Sequence, residues 1–309
     1  FGERPSPAMV KALLVSTARD LNNDEPIPNY DEGWGQVHLP GIVNPDVDWF
    51  LRDSEDELQT GERSLYNIEC LDENRPMNIS LTWTDVPSSP TNDIHLINDL
   101  DLKVYGPDGE FYYGNSFENG TSVPFKKSRW DRDGDGSDDR NNVVNVFIPE
   151  DEVKKGMYTV VVDGKNVPMD GVPETDKIGQ DYALAVSNAE RFESETPDLN
   201  ILSLEHEEIM TTNETETISW TIGGGKGDVE VDLEYSVDDG ETWKDLTSGS
   251  KGVNYYNWTV PYADSKVCRL RYNLTDEKDN NFEDKTRRFR ITPVYVDLQT
   301  PADGESFVG

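Results

Sequence analysis

Residues 130–147, WDRDGDGSDDRNNVVNVF, join an acidic loop directly to an apolar run. The first aspartates occupy alternate positions, Asp131, Asp133 and Asp135, and Gly136 follows them. A calcium-binding loop uses this order to place carboxylates around a hard cation before a sharp turn. The apolar run that ends the stretch predicts a strand. Because the loop lies between a tryptophan and this strand, we expect it to connect two elements of one folded core.

The loop carries further oxygen donors that suit calcium. Oxygen ligands select calcium over softer metals, and magnesium tolerates irregular carboxylate shells poorly. From loop chemistry we predict as ligands Asp131, Asp133, Asp135, Ser137 and Asp138. Position twelve of an EF-hand count is Asn142 where that motif has a bidentate glutamate, so we expect weaker binding than in an EF-hand. The alternative is a solvated acidic turn, since such strings arise easily by chance in an acidic chain.

Length and charge bound the class of protein. The 309 residues suggest two domains with pieces left over. A formal charge of −34 argues against binding to nucleic acid or anionic membranes, because phosphate would be repelled over most of the surface. Cations are the natural partners, although a solvated surface of the halophilic kind explains the charge of most acids equally well. The sequence shows no Met start, signal peptide or membrane span, and we expect a fragment of a longer protein.

Cysteines and glycosylation motifs bear on the compartment. Cys70 and Cys268 lie in segments assigned to different domains, so no intrachain disulfide and no zinc spacing is expected. Five Asn-x-Ser/Thr sequons permit an exported protein and begin at Asn78, Asn119, Asn213, Asn257 and Asn273. Such triplets are also short enough to arise by accident in a chain rich in asparagine and threonine.

The pattern along the first half is one helix followed by short strands. Residues 5–21 predict an amphipathic helix capped by Ser6, with an apolar stripe formed by Val10, Leu13, Leu14, Thr17 and Leu21. This stripe needs a covering partner, so we expect residues 1–45 either to pack on the following domain or to stay mobile. Period-two alternation then predicts strands within 67–85, 100–104, 111–113, 143–148, 157–162 and 182–187. Six or more short strands separated by turns describe an antiparallel sandwich.

Two groups of motifs in this half carry a resemblance to a known family. SPAMVKALLV-x-TARDL followed by GWG-x-V-x-L is similar to the last helix and closing loop of the catalytic domain of subtilisin-like serine proteases (subtilases, family S8). LTWTD-x-P, NDLDL-x-V-x-x-P-x-G, NNV-x-NVF and G-x-YTV-x-V resemble the C-terminal jelly-roll domain of alkaline, oxidatively stable subtilases, which is related in shape to the P domain of proprotein convertases. The resemblance covers about residues 5–190.

The resemblance implies further calcium ligands. Asp99 and Asp101 match the pattern of the family directly. Asp139, Asn141 and Asn142 are the best equivalents of its D-x-N-N acids and amides. An Asp/Gly-rich insertion lengthens this chain between Trp130 and Arg140, so the ligands of the family cannot be carried one for one into the loop.

The resemblance also implies a catalytic parent but an inert fragment. A subtilase uses Asp, His and Ser in that order along the chain. The G-T-S-M-A type nucleophile motif is absent here, and His38, His95 and His206 have no motif context. We therefore expect no catalytic residue within this chain. Protein or peptide substrates would be reached through the missing catalytic domain.

Residues 197–292 predict a second, smaller β-sandwich. The strand rhythm is clear from residue 218 to residue 291, with a hairpin at Asp239-Gly240. Its Y-S-x-D-x-G-x-T-W and W-T-V-P segments resemble Ig-like or fibronectin-type modules found behind the catalytic domains of secreted hydrolases. The polar stretch 193–198 reads as a linker, so we expect an independent domain.

These observations give a mainly β chain in four parts. They are a C-terminal remnant of an α/β catalytic domain (1–45), a jelly-roll sandwich (46–192), an Ig-like sandwich (197–292) and the start of another β-domain (293–309). The expected function is the accessory C-terminal region of a secreted or cell-surface subtilase, stabilising the catalytic domain and binding calcium. The alternative is a non-enzymatic surface adhesin made of tandem sandwiches, but that class leaves the SPAMVKALLV helix unexplained. The two hypotheses differ in the sequence about thirty residues upstream of Phe1, where the subtilase hypothesis predicts Gly-Thr-Ser-Met-Ala.

Overall fold

The computed structural model describes residues 4–21, 25–44, 47–172, 177–204 and 208–293, without the side chains of 54–56. The expected mainly β class is confirmed, because 45% of the residues lie in strands of several antiparallel sheets and only 5% in helices. The β-domain expected at 293–309 lies outside the described residues from 294 onward. The boundaries of the four parts stay a prediction.

The first sandwich has two sheets. Its strands are β1 Trp49–Leu58, β2 Arg63–Cys70, β3 Met77–Thr82, β4 Asp99–Tyr105, β5 Phe111–Tyr113, β6 Phe117–Glu118, β7 Thr121–Ser122, β8 Val143–Ile148, β9 Met157–Asn166, β10 Gln180–Ser187 and β11 Ala189–Arg191. One sheet has the order β1-β10-β3-β8 and the other β11-β2-β9-β4-β5, while β6 and β7 form a separate hairpin. Every pairing in this sandwich is antiparallel.

Alternation along the strands builds the core between these sheets. Ile79 and Leu81 of β3 face Leu100 and Leu102 of β4 across one apolar cluster, and all four are at most 1% exposed. The residues between them on each strand have their side chains on the opposite face of the sheet, away from this core. The outward positions on β4 are therefore Asp99, Asp101 and Lys103, which places two carboxylates side by side on the outer face of the sheet.

The second sandwich follows the same principle. Its strands are β12 Asp198–Ile201, β13 Ile209–Thr211, β14 Thr215–Gly223, β15 Val229–Ser236, β16 Lys244–Lys251, β17 Tyr255–Thr259, β18 Ser265–Asp276, β19 Asn281–Lys285 and β20 Phe289–Thr292. β12, β14 and β17 form one sheet; β13, β20, β18, β15 and β16 form the other, with β19 also paired to β18. Only the β13–β20 pairing is parallel among the described strands. Trp220, Trp258 and Phe289 fill the core.

The two sandwiches have separate apolar cores but touch through buried polar groups. Asn200 of β12 is 6% exposed, and its side-chain amide donates to the Met157 carbonyl and to the Thr159 hydroxyl of β9, each at 3.0 Å. Asn67 of β2 donates to the Ile222 carbonyl of β14 at 3.0 Å. These contacts join strands on both sides of the polar stretch that the sequence suggested as a linker.

A charged contact adds to this interface. The Arg287 guanidinium of the second sandwich donates to the Asp108 carbonyl at 3.1 Å and to the Glu110 carboxylate at 2.8 Å. Lys154 pairs with the same two acidic residues, and Arg287 also lies over the Phe125 ring, 5.2 Å from its centroid. The acidic turn after β4 is therefore shared between one cation from each sandwich.

Helix α1, Pro7–Ser16, packs on the outer face of the β1-β10-β3-β8 sheet. Ser6 caps it as expected, its Oγ accepting from the Met9 amide at 2.9 Å. Of the predicted apolar stripe, only Leu13 is buried. The buried side of the helix consists of Met9, Leu13 and three small residues, Ala8, Ala12 and Ser16.

The shift of the buried face has a simple cause. Val10 is 43% exposed and Leu21 is 58% exposed. The helix faces Ala183 and Ala185 of β10, so small side chains on both surfaces allow close approach. Size complementarity with the sheet, which one segment of sequence cannot reveal, selected the face. A second helix, α2 Leu39–Val43, is short and has no buried residue.

Replacing Met9 by Ala tests this packing. Met9 is 0% exposed, and removing a buried methionine costs about 2–5 kcal/mol in the free energy of unfolding. Val10→Ala, one position along the same helix, should cost less than about 1 kcal/mol because this side chain is half in water. Urea denaturation of both variants measures the difference. Equal losses would show that the helix does not dock on the sheet as described.

No helix among the described residues is long and apolar enough to cross a bilayer.

Candidate metal centre

The acidic loop between Trp130 and Asn142 folds back on its own backbone. Asp131 accepts from the Gly134 amide at 2.7 Å, and Asp135 accepts from the Ser137 amide at 2.9 Å. These aspartate turns form because a short carboxylate reaches an amide two or three residues ahead. Gly136 has φ +97°, and a Cβ there would lie 2.4 Å from the Tyr113 ring, so only glycine lets the loop press against β5.

Three of the predicted ligands converge. Asp131, Asp133 and Asp139 each offer one carboxylate oxygen, and these oxygens lie within 4.8 Å of one another. The Asp139 carboxylate also accepts from the Arg132 amide at 2.6 Å, which holds the two ends of the loop together. This spacing suits three ligands of one calcium ion with carboxylate bonds near 2.3–2.6 Å.

Asp135 belongs to a different contact. Lys165 of β9 pairs with its carboxylate and, at 2.8 Å, with that of Asp133. Burial alone would raise the pKa of Asp135, but the bond from Lys165 and the Ser137 amide outweigh it and lower that pKa. The same two carboxylates raise the pKa of Lys165 above the usual range. Lys165 therefore already supplies positive charge to one side of the loop.

Asp138 holds the loop to the sandwich. It is 1% exposed and accepts from the Asn115 amide group at 2.6 Å and from Asn141, whose backbone amide lies at 3.1 Å. Asn142 donates to the Trp83 carbonyl at 3.1 Å, and its Oδ1 accepts from Lys11 at 3.2 Å. Asp138 and Asn142 thus have structural partners, and neither belongs to the set of three converging carboxylates.

Asp99 and Asp101 of β4 form a second group with Ser137. Asp101 is 2% exposed and Ser137 is 1% exposed. One oxygen of each carboxylate and the Ser137 hydroxyl are buried without a hydrogen-bond partner of good geometry among the described residues. A buried oxygen without a donor costs about 1–3 kcal/mol, and more when it is charged. This set of orphaned oxygens fits a hard cation.

The electrostatics of this group point the same way. Burial, then the charges of Asp139, Asp138 and Asp135, raises the pKa of Asp99 to about 7. Burial, then the charges of Asp99 and Asp135, raises the pKa of Asp101 to about 8. Each carboxylate is thus destabilised in its ionised form by a dry surrounding and by like charge. A divalent cation would offset both effects.

Six of the ten predicted ligands therefore form an outer group and an inner group, and Asp135, Asp138, Asn141 and Asn142 belong to neither. The outer group is Asp131, Asp133 and Asp139; the inner group is Asp99, Asp101 and Ser137. Their donors suit calcium, and which of them bind it stays a prediction. Sequence reasoning missed Lys165 and Asn115, which fix the loop from β9 and from the segment after β5. Neither has a local signal, because both meet the loop only through the pairing of the sheet.

Two of the three histidines have ordinary local contacts. The His38 Nδ1 accepts from the Gly41 amide at 3.2 Å and caps α2. His95 contacts the Ser88 hydroxyl at 2.8 Å on an exposed loop. His206 lies outside the described residues. Cys70 and Cys268 are both free thiols, as expected.

Comparison with known proteins gives one distant relative with a functional name. No family model matches the chain. Over 180 residues it is 31% identical to the serine protease/ABC transporter B family protein tagA of Dictyostelium discoideum. The match covers 54% of this chain, and the chain spans only 9% of the length of that relative.

Solved structures give weaker likenesses. The fibronectin(III)-like modules of CbhA from Clostridium thermocellum match 84% of this chain and 100% of their own, at 12% identity and a TM-score of 0.26. The glycoside hydrolase domain of Endo-D from Streptococcus pneumoniae R6 matches 78% of this chain and 33% of its own, at 9% identity and a TM-score of 0.22. The chicken CNTN1 FN1-FN3 domains match 73% of this chain and 65% of their own, at 11% identity and a TM-score of 0.22. TM-scores this low do not establish a shared fold.

Proposed function

We propose that this chain is the accessory C-terminal region of a secreted subtilisin-like serine peptidase, and that its first sandwich binds calcium. In this proposal the peptidase activity belongs to a catalytic domain upstream, and residues 5–45 are the end of that domain. The motifs of α1 and of the GWG loop support it, as does the 31% identity to a relative whose name includes serine protease. The two sandwiches would be exported with the catalytic domain and stabilise it.

One observation carries this proposal. Thirteen large apolar side chains are exposed among the described residues, and six of them lie between residues 10 and 43. They are Val10, Leu21, Tyr30, Val37, Leu39 and Val43, and their exposed fractions run from 43% to 84%. A concentration of exposed apolar surface in one short segment indicates a face that another part of a protein covers. The proposed upstream catalytic domain covers this surface apart from Tyr30, which lines a cleft beside the β6–β7 hairpin.

The acidic loop is far from residues 10–43 in the sequence but contacts this segment in the structure. Lys11 of α1 bonds Asn142, the last residue of the acidic loop, at 3.2 Å. Ordering the loop with calcium would therefore also fix a contact to the helix. This gives calcium a role in holding the accessory sandwich against the end of the catalytic domain.

The proposal is tested on the longer protein that it requires. A fluorophosphonate probe, which reacts with activated serines, should label that protein, and residues 1–309 alone should stay unlabelled and should not hydrolyse casein. An apolar dye such as ANS should bind residues 1–309 strongly and the longer protein weakly, because the upstream domain covers the exposed face. Absence of labelling in the longer protein, with equal dye binding by both, would favour the adhesin alternative.

A further inference from the structure

The hairpin of β6 and β7 presents one of the five sequons at its tip. Glu118 pairs with Thr121, so Asn119 and Gly120 form a two-residue loop. Both have positive φ, 49° and 84°, which is the type I′ turn that favours Asn-Gly. Asn119 is exposed, and no described residue bonds its side-chain amide. The nitrogen of this amide therefore projects freely from the hairpin.

The other sequons differ in what a sugar would disturb. The Asn78 amide in the middle of β3 donates to the Ser16 carbonyl of α1 at 2.8 Å. Asn273 lies on β18, paired on both sides by β15 and β19. A glycan on Asn78 would break that contact, and one on Asn273 would crowd its neighbours across the sheet, Asp232 and Glu283. Asn213 lies exposed in a turn with φ 67°, so it is as accessible as Asn119.

Asn119 differs from Asn213 in its surroundings, because it lines a cleft of about 770 Å³. The walls of this cleft include the aromatic rings of Tyr30, Trp34, Phe117 and Trp130. Trp34 and Phe117 meet edge to face with centroids 6.0 Å apart, and Tyr30 is 84% exposed beside them. Aromatic faces of this kind pack against the apolar C–H face of a pyranose ring, removing apolar surface of both from water.

We infer that Asn119 carries an N-linked oligosaccharide, whose first sugars pack into the aromatic cleft between residues 30–34 and the β6–β7 hairpin. This rests on the export that the proposed function implies. In the attachment, the Asn119 Nδ2 attacks C1 of an oligosaccharide linked to a lipid diphosphate. The N–C1 bond forms, the C1–O bond to the phosphate breaks, and the lipid diphosphate leaves while the nitrogen loses one proton to the transferase. No oxidation or reduction occurs.

The site is tested by secreting residues 1–309 behind a cleavable signal peptide from a eukaryotic host and mapping glycopeptides by mass spectrometry. We expect folded, secreted protein to carry sugar at the exposed sequons Asn119, Asn213 and Asn257 and none at Asn78 and Asn273. The signal peptide supplies export, so the result is independent of whether the parent is a peptidase. An empty Asn119 beside a filled Asn213 would overturn the inference.

The cleft is tested by comparing melting midpoints with unglycosylated protein of the same sequence. In the Asn213→Gln plus Asn257→Gln background, the sugar at Asn119 should raise the midpoint by about 2 °C. Adding Tyr30→Ala should remove this gain while leaving the unglycosylated midpoint unchanged, since Tyr30 is largely exposed. As the matched control, Thr121→Ala plus Asn257→Gln leaves sugar only at Asn213, where we expect no gain. A gain that survives Tyr30→Ala, or equal gains at both sites, would overturn the packing of sugar in the cleft.

Discussion

Calcium is expected to raise the melting midpoint of the first sandwich by about 5–10 °C when its free concentration is about one hundred times the dissociation constant. A ligand that binds only the folded state at this excess adds about 2.7 kcal/mol, and each kcal/mol moves a domain of this size by about 2–4 °C. The reason is local: one buried oxygen each of Asp99 and Asp101 has no hydrogen-bond donor of good geometry among the described residues, and like charges surround both carboxyl groups. Differential scanning calorimetry with chelator and with calcium measures the shift.

Replacing the inner carboxylates of Asp99 and Asp101 should not lower the melting midpoint without calcium but should lower it with calcium. With chelator present, Asp99→Asn plus Asp101→Asn is expected to melt no lower than the parent, because the cost of burying two carboxyl groups whose ionisation is disfavoured is gone. With calcium present, the same variant should gain little and so melt below the parent. Asp93→Asn plus Asp151→Asn removes two charges from exposed positions of the same sandwich and should keep the full calcium response. If calcium shifts the inner variant as much as this control, Asp99 and Asp101 are not ligands.

The two sandwiches are expected to melt in one transition that Asn200→Ala plus Arg287→Ala separates into two. Asn200→Ala leaves the buried Met157 carbonyl and the Thr159 hydroxyl with one partner fewer, at a cost of about 1–3 kcal/mol. Arg287→Ala removes the cation that binds the acidic turn of the other sandwich. Together these contacts supply about 2–4 kcal/mol of coupling. Calorimetry reports the number of transitions, and limited proteolysis at residues 193–198 reports the release of the linker.

Arg288 provides the control for this experiment. It is the next residue along the chain, and it pairs with Asp239 inside the second sandwich. Arg288→Ala removes an arginine without touching the interface, so it should shift the midpoint without dividing the transition. A parent that already melts in two transitions, with midpoints unchanged in the double variant, would support the independent domain that the linker composition suggested.

The sequence predicted β3 and β4 well because apolar and polar residues alternate along them. Each has one wholly buried side, and the resulting period of two is visible without any knowledge of the neighbouring strands. β8, at the edge of its sheet, was predicted from its apolar run instead. β1 was missed because half of its stretch WFLRDSEDEL is charged, as suits an edge strand whose one partner among the described strands is β10. The same limit applies to β13, three residues long, which is held by parallel pairing to a strand about eighty residues later.

The candidate site was predictable in composition but not in arrangement. Alternate aspartates before Gly136 indicated a cation, and residue types alone were enough for that. They could not show that carboxylate oxygens of the loop aspartates accept hydrogen bonds from backbone amides, nor that Lys165 would neutralise Asp135. These partners come from strand pairing, since β9 lies beside β4 and brings Lys165 to the loop.

During synthesis, α1 leaves the ribosome well before β10, the strand on which it packs. Met9 leaves the ribosome long before Ala185, on whose strand its helix packs, because Ala185 comes 176 residues later. At about 5–20 residues per second, this delay is roughly 9–35 s. β1 waits for a shorter time, since its Trp49 pairs with Ser187 of β10, 138 residues later. Both elements are thus made well before the strand that covers them, and the nascent chain needs another surface, such as a chaperone or an earlier domain, to shield them meanwhile.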